Sequence, residues 1–167
     1  MGVIFANPLE ELVEFQEMNR DLEQGKGPLQ VSGCVDSQKV HLISETAGSL
    51  RWKLIVTYDD SRAREIYEDY RTFDPAVFLY PAKDLLFYSS DIHGNLLTRQ
   101  RMQVFKHLME DEAGTIVTTV DGLMDRLLPL SEIRNSRIAV VSGESLKTEE
   151  MKEALAGLGY ERVGQVD

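Results

Sequence analysis

The sequence predicts an α/β fold, a mostly parallel sheet with helices on both faces. Two observations carry this expectation. Short apolar runs, too brief for core helices, alternate with segments of helical periodicity. One such alternation brackets Gly33-Cys34-Val35-Asp36-Ser37-Gln38-Lys39-Val40, which keeps the spacing of a phosphate-binding strand–loop–helix.

The elements follow in chain order. A helix is expected over residues 7–24, with Asn7 as cap, Pro8 at the first helical position and Glu10 three residues after the cap. Leu9, Leu12, Val13, Phe15, Met18 and Leu22 form its apolar face, and Gly25-Lys26-Gly27-Pro28 stops it. Residues 29–32 read as a short strand running into Gly33. The helix after it carries Val40, Ile43, Ala47 and Leu50 on one face. Residues 52–58 form a buried strand. Asp59-Asp60-Ser61 opens a helix with Ala63, Ile66, Tyr67 and Tyr70 inward. A third strand over 76–80 ends at Pro81. The long connection from Pro81 to Leu97 carries Leu85, Leu86, Phe87, Tyr88 and Ile92, so it is expected to pack on something rather than probe DNA. Thr98 opens a helix with Met102, Phe105, Leu108 and Met109 inward. Then come a strand over 114–119, a short helix over 120–128 stopped by Pro129, and a last strand over 137–142. Thr148 caps a final helix with Met151, Leu155 and Leu158, ended by Gly159. Crossovers between parallel strands are expected to be right-handed.

At 167 residues the chain is one domain with short additions. Its net charge of −10, from 28 acidic and 18 basic residues, argues against strong DNA binding, which needs a basic footprint. Arg99, Arg101 and Lys106 read as a solvated helix face. The single Cys34 excludes an internal disulfide and suits a reducing cytoplasm. His41, His93 and His107 have no Cys partners at ligand spacing, so no metal site is expected. Nothing resembles a signal peptide, and no apolar run approaches the roughly 18 residues a membrane helix needs.

The phosphate-loop frame lacks two working parts. A second Gly lets backbone N–H groups close around phosphate, and a terminal hydroxyl holds Mg²⁺. Gln38 stands in place of the first and Val40 in place of the second. Gly33, Gln38, Lys39 and Val40 are therefore expected to form a vestigial loop that binds no cofactor. An NTPase also needs an acid after an apolar strand. Asp59-Asp60 and Asp121 stand in such places, and both read as helix N-cap groups. Glu110-Asp111-Glu112 precedes a strand and reads as a solvated helix end. Cys34 has no histidine at a recognisable spacing, and His93-Gly94-Asn95 is a turn signal. No catalytic residue is expected.

Several stretches together resemble the N-terminal region of the bacterial transcription-repair coupling factor family (Mfd). Residues 31–39 look like that family's worn phosphate loop, and Leu54 to Asp59 with Ala63 like its second strand and helix. Residues 80–88, Tyr-Pro-Ala-Lys-Asp-Leu-Leu-Phe-Tyr, resemble its Phe-Pro-x-x-Glu-x-Leu-Pro-Tyr segment, and Arg101 matches the arginine of the helix that follows. Residues 114–129 look like its next strand and turn, and Gly159 to Val163 with Gln165-Val166 like the junction into a following domain. The resemblance covers about residues 5–167.

The resemblance implies a degenerate RecA-like domain, similar to the damage-verifying helicase UvrB but without ATP binding. UvrB-like proteins insert a long DNA-probing hairpin, and the span from Leu85 to Arg101 is too short for one. In the family, a following domain recruits UvrA, and later domains bind RNA polymerase, use ATP and Mg²⁺ and translocate on DNA. The expected organisation is an N-terminal helical extension (1–28), a UvrB-homology domain (29–158) and the start of the UvrA-recruiting domain (159–167). The expected role is a non-catalytic cytoplasmic scaffold whose partners are sister domains. A second reading is a small nucleotide-binding P-loop enzyme with an atypical loop. A third is an unrelated α/β interaction domain, receiver-like or Rossmann-like. Asp59 and Asp60 would suit a receiver, but no later strand supplies its lysine signature.

Overall fold

The computed structural model describes residues 8–83, 91–110, 112–138, 140–143, 145 and 147–164, with the backbone alone for 91–95. The chain divides into two compact units, residues 1–125 and 126–167.

In the first unit, β1 (Trp52–Thr57), β2 (Val77–Tyr80) and β3 (Gly114–Thr119) form a three-stranded parallel sheet in the order β1-β3-β2. Trp52 lies opposite Gly114 and Thr57 opposite Thr119, while Val77 pairs with Thr115 and Tyr80 with Thr118. Parallel neighbours need long crossovers, and here these contain α3 (Asp60–Tyr70) and α4 (Asp91–Met109). The central strand β3 is the most enclosed: Thr115, Val117 and Thr118 have no exposed surface.

Side chains alternate across the sheet. On one face Ile55, Val77, Leu79 and Val117 pack with Val40 of α2 (Asp36–Ala47) and with Ala63 and Tyr70 of α3. Ile43, Ile66 and Tyr67 close the margin of this core. On the other face the ring of Phe105 in α4 meets Tyr80 edge-on at 6.0 Å, and His107 stacks on Phe78 at 4.2 Å. On β1, Leu54 and Val56 remain 56% and 43% exposed.

Asp74 pins the sheet at the N-terminal end of its strands. Its carboxylate accepts from Lys53 Nζ of β1 (3.1 Å), Thr115 Oγ1 of β3 (2.8 Å) and the Ala76 N–H ahead of β2 (2.9 Å). Burial raises its pKa, but these hydrogen bonds and the Lys53 charge outweigh that and hold it below the ordinary carboxylate value. The chain approaches closely here: a Cβ on Gly114 would stand 2.7 Å from the Ala76 carbonyl oxygen.

The N-terminal segment is a 3₁₀ turn (Pro8–Glu11), a break at Leu12, and α1 (Val13–Glu23), of which only Phe15 is buried. Gly25, at φ 71°, ends it in the left-handed conformation, and the Lys26 N–H returns to the Asp21 carbonyl. The expected cap Asn7 lies outside the described residues. The second unit holds α6 (Leu130–Asn135) and α7 (Thr148–Gly157), and none of its described residues is buried. Lys147, not Thr148, occupies the cap position of α7, and Gly159 ends it as expected.

Other expectations are corrected. No strand forms over 29–32, nor among the described residues of 137–142. Leu29, Val31, Val140 and Val141 are exposed there, and β-propensity without a pairing neighbour does not make a strand. Helix α4 starts at Asp91 rather than Thr98, so Gly94-Asn95 lies inside a helix instead of a turn. Its inward positions are Arg101, Val104 and Phe105, and Met102 is 50% exposed. The expected α2 face stops short of Leu50, and the helix after β3, α5 (Val120–Met124), ends before residue 128. Leu85, Leu86, Phe87 and Tyr88 lie outside the described residues. No helix of the described residues is long and apolar enough to cross a membrane.

Candidate functional site

The phosphate-loop segment begins with Gly33 at φ 87°, a left-handed conformation that glycine adopts without strain. No strand delivers the chain to it. Helix α2 then starts at Asp36, two residues ahead of the position where the second glycine would stand. Gln38 therefore sits on the first turn, and its Oε1 accepts the Val35 N–H at 3.2 Å, a donor the loop would otherwise present. Val40 is 2% exposed and belongs to the apolar core.

Lys39 keeps the right spacing but has a partner from its own helix. Its Nζ donates to Asp36 Oδ1 at 3.2 Å, and Arg62 Nη2 of α3 donates to the same oxygen at 2.9 Å. The hydrogen bond from Lys39, then the charges of Arg62 and Lys39, hold the Asp36 carboxyl below its ordinary pKa. Two cations thus converge on an anion supplied by the chain itself. Gly33, Cys34 and Lys39 of the loop line a hollow of about 540 Å³ with Leu29, Val31, Ser32, Leu42 and Ile43.

A second cleft, about 640 Å³, lies beyond the carboxyl ends of the strands, where α/β folds commonly bind ligands. Asp60 and Arg64 of α3, Lys83 after β2, and Asp121 and Asp125 beside α5 line it. Of the acid candidates from the sequence, Asp59, Asp60 and Asp121, the latter two line this one cleft. Neither is the cap of its helix. Asp59 caps α3 by accepting the Arg62 N–H at 2.7 Å, and Thr119 Oγ1 caps α5 by accepting the Gly122 N–H at 3.1 Å. Among the described residues no hydroxyl, thiol or imidazole lines this cleft; its polar side chains are carboxylates and the cations of Arg64 and Lys83.

Arg101 forms the inner anchor of the cleft. Its Nη1 donates to Asp125 Oδ2 at 2.7 Å and to the Pro81 carbonyl at 2.9 Å, and its guanidinium lies 4.3 Å from the Tyr80 ring centroid. Its side chain is 9% exposed, so of the residues expected on a solvated helix face Arg99 and Lys106 are exposed and Arg101 is not. Burial raises the Tyr80 pKa; Arg101 works against that shift and Asp125 adds to it. Sequence reasoning missed this clamp because its partners lie 20 and 24 residues away.

The remaining singled-out residues fall elsewhere. Cys34 is half-buried beside the loop. His41 stacks on Phe73 at 5.5 Å and faces Glu45 at 3.6 Å. His107, at the end of α4, faces Glu112 and lies near Glu110.

No protein-family model matches the chain. It is similar to the transcription-repair-coupling factors of Staphylococcus aureus strains USA300 and NCTC 8325, at 24% identity over 162 residues, 95% of this chain. The same identity and coverage hold for strain MRSA252. The chain spans 14% of the length of these relatives. It is thus distantly similar, over most of its length, to part of a transcription-repair coupling factor.

Proposed function

We propose that the chain is a non-catalytic scaffold domain in the N-terminal repair module of a transcription-repair coupling factor. Such a parent is an ATP-dependent DNA translocase that displaces stalled RNA polymerase and recruits nucleotide excision repair. The observation that carries the reading is the closed phosphate-loop segment: Asp36 engages Lys39 and Arg62, Gln38 engages Val35, and Val40 is core. A phosphate entering there would meet a carboxylate already paired with the cations it needs. The distant similarity supplies the family context.

On this reading the sheet is a degenerate RecA-like core that has kept its packing and lost its ligand. ATP and Mg²⁺ are used by other domains of the parent. UvrA and RNA polymerase bind through domains outside these residues, and this domain's own partners are its sister domains. The test is retention on immobilised protein, with a full-length coupling factor from Staphylococcus aureus alongside. The full-length factor retains UvrA and RNA polymerase, and the present chain retains neither and turns over no ATP. Capture of UvrA by the chain as strong as by the full-length factor contradicts the assignment. ATP turnover that Lys39→Ala abolishes moves the protein to the class of P-loop enzymes.

A further inference from the structure

We propose that the turn joining α4 to β3 is a divalent-metal site, with His107, Glu110 and Glu112 as its protein ligands. One donor atom from each lies within 4.8 Å of the other two. Ligands of a tetrahedral ion with bonds of roughly 2.0–2.2 Å stand about 3.4 Å apart, so small side-chain rotations close the set around one ion.

The backbone explains the convergence. The Glu110 N–H still donates to the Lys106 carbonyl at 3.0 Å, and the Glu112 N–H reaches back to the His107 carbonyl at 3.3 Å. The chain leaving α4 thus folds over the last helical turn and brings Glu112 onto His107. The imidazole is held in place, stacked on Phe78 of β2 at 4.2 Å with 29° between the rings, and its Nδ1 faces the Glu112 carboxylate. A ligand already oriented by packing loses little rotamer freedom on binding.

The electrostatics favour a cation. Two carboxylates stand at the carboxyl end of a 19-residue helix, where the last carbonyls carry the negative end of its dipole. The continuing helical bond of Glu110 sets it on the same face as His107, three residues earlier, so both carboxylates flank one imidazole. One imidazole nitrogen with two carboxylate oxygens suits Zn²⁺, Co²⁺, Ni²⁺ or Mn²⁺ better than Ca²⁺ or Mg²⁺, which prefer all-oxygen shells. Three protein ligands leave a position for water. Bound there, the ion fastens the end of α4 to the start of β3. The sequence hid the site because the ligands are one histidine and two carboxylates, without cysteine.

The test uses the whole chain, freed of metal with chelator, with zinc chloride and cobalt chloride as probes. Zinc raises the melting temperature, chelator reverses the rise, and cobalt gives visible absorption bands of a low-coordinate site. Glu112→Gln and His107→Phe each abolish both signals, the latter keeping a ring against Phe78, and Glu110→Gln weakens them. His41→Ala leaves both intact. The proposal is overturned if millimolar zinc leaves the wild-type melting temperature unchanged. It is equally overturned if the zinc and cobalt responses survive in Glu112→Gln and His107→Phe.

Discussion

The start of α2 and the middle of α4 both set a basic side chain against an aspartate, to different ends. At α2, Asp36 is 73% exposed and Lys39 53%, while Arg62, 15% exposed, reaches the same carboxylate from α3. At α4, Arg101 is enclosed between Asp125, the Pro81 carbonyl and the Tyr80 ring. Solvent screens the first cluster, so it adds little to stability. On the proposed reading its effect is to engage the cations that an anion would need. The second is desolvated, and removing one partner strands a charge, which is where ion pairs become costly to break. Proximity of opposite charges therefore says little until burial is known.

The largest expected effect breaks the buried side of this comparison. Arg101→Ala removes two hydrogen bonds and a ring contact and leaves Asp125 unpaired, so chemical denaturation should show a loss of about 3 kcal/mol. Arg101→Lys keeps the charge without the planar fork and should recover only part of it.

Asp74→Asn should cost about 2 kcal/mol near neutral pH, because Lys53 then loses a partly buried partner. The sign of the pH dependence follows from the lowered pKa of Asp74. A carboxyl whose folded pKa lies below its unfolded value of about 3.9 contributes fully above that value and loses the contribution as pH falls through the folded pKa. Urea unfolding at neutral pH and again below pH 4 should therefore show the gap between wild type and Asp74→Asn narrowing in acid.

Val40→Ser sharpens the comparison from the other side. It restores the hydroxyl of the phosphate-loop frame but places it in the core, so it should cost about 2 kcal/mol and give no Mg²⁺-dependent stabilisation. The smallest effect is expected from Lys39→Ala, whose melting temperature should match wild type, since its ion pair is exposed.

What the sequence disclosed depended on how local the cause was. β3 is found at its expected bounds and β1 within one residue, because each is dominated by apolar and β-branched residues. The Asp59 cap was legible from its place before the α3 pattern. Arg101 was not: a charged residue on an inward face is acceptable only because Pro81 and Asp125 meet it from distant points of the chain. The Asp74 junction was hidden for the same reason, with Thr115 lying 41 residues away. At the phosphate loop, the losses at Gln38 and Val40 were visible, but not that Asp36 would draw in Arg62 from another helix. The apolar runs at 29–32 and 137–142 had strand composition without a paired neighbour, and composition cannot supply one.

The central claim is that Asp36 already engages the cations of the phosphate-loop segment, which binds no nucleotide. Isothermal titration of the purified chain with Mg-ATP tests it most directly, with Lys39→Ala in parallel. The account predicts no binding heat for either protein beyond dilution. Micromolar binding by the wild type that Lys39→Ala abolishes would contradict it.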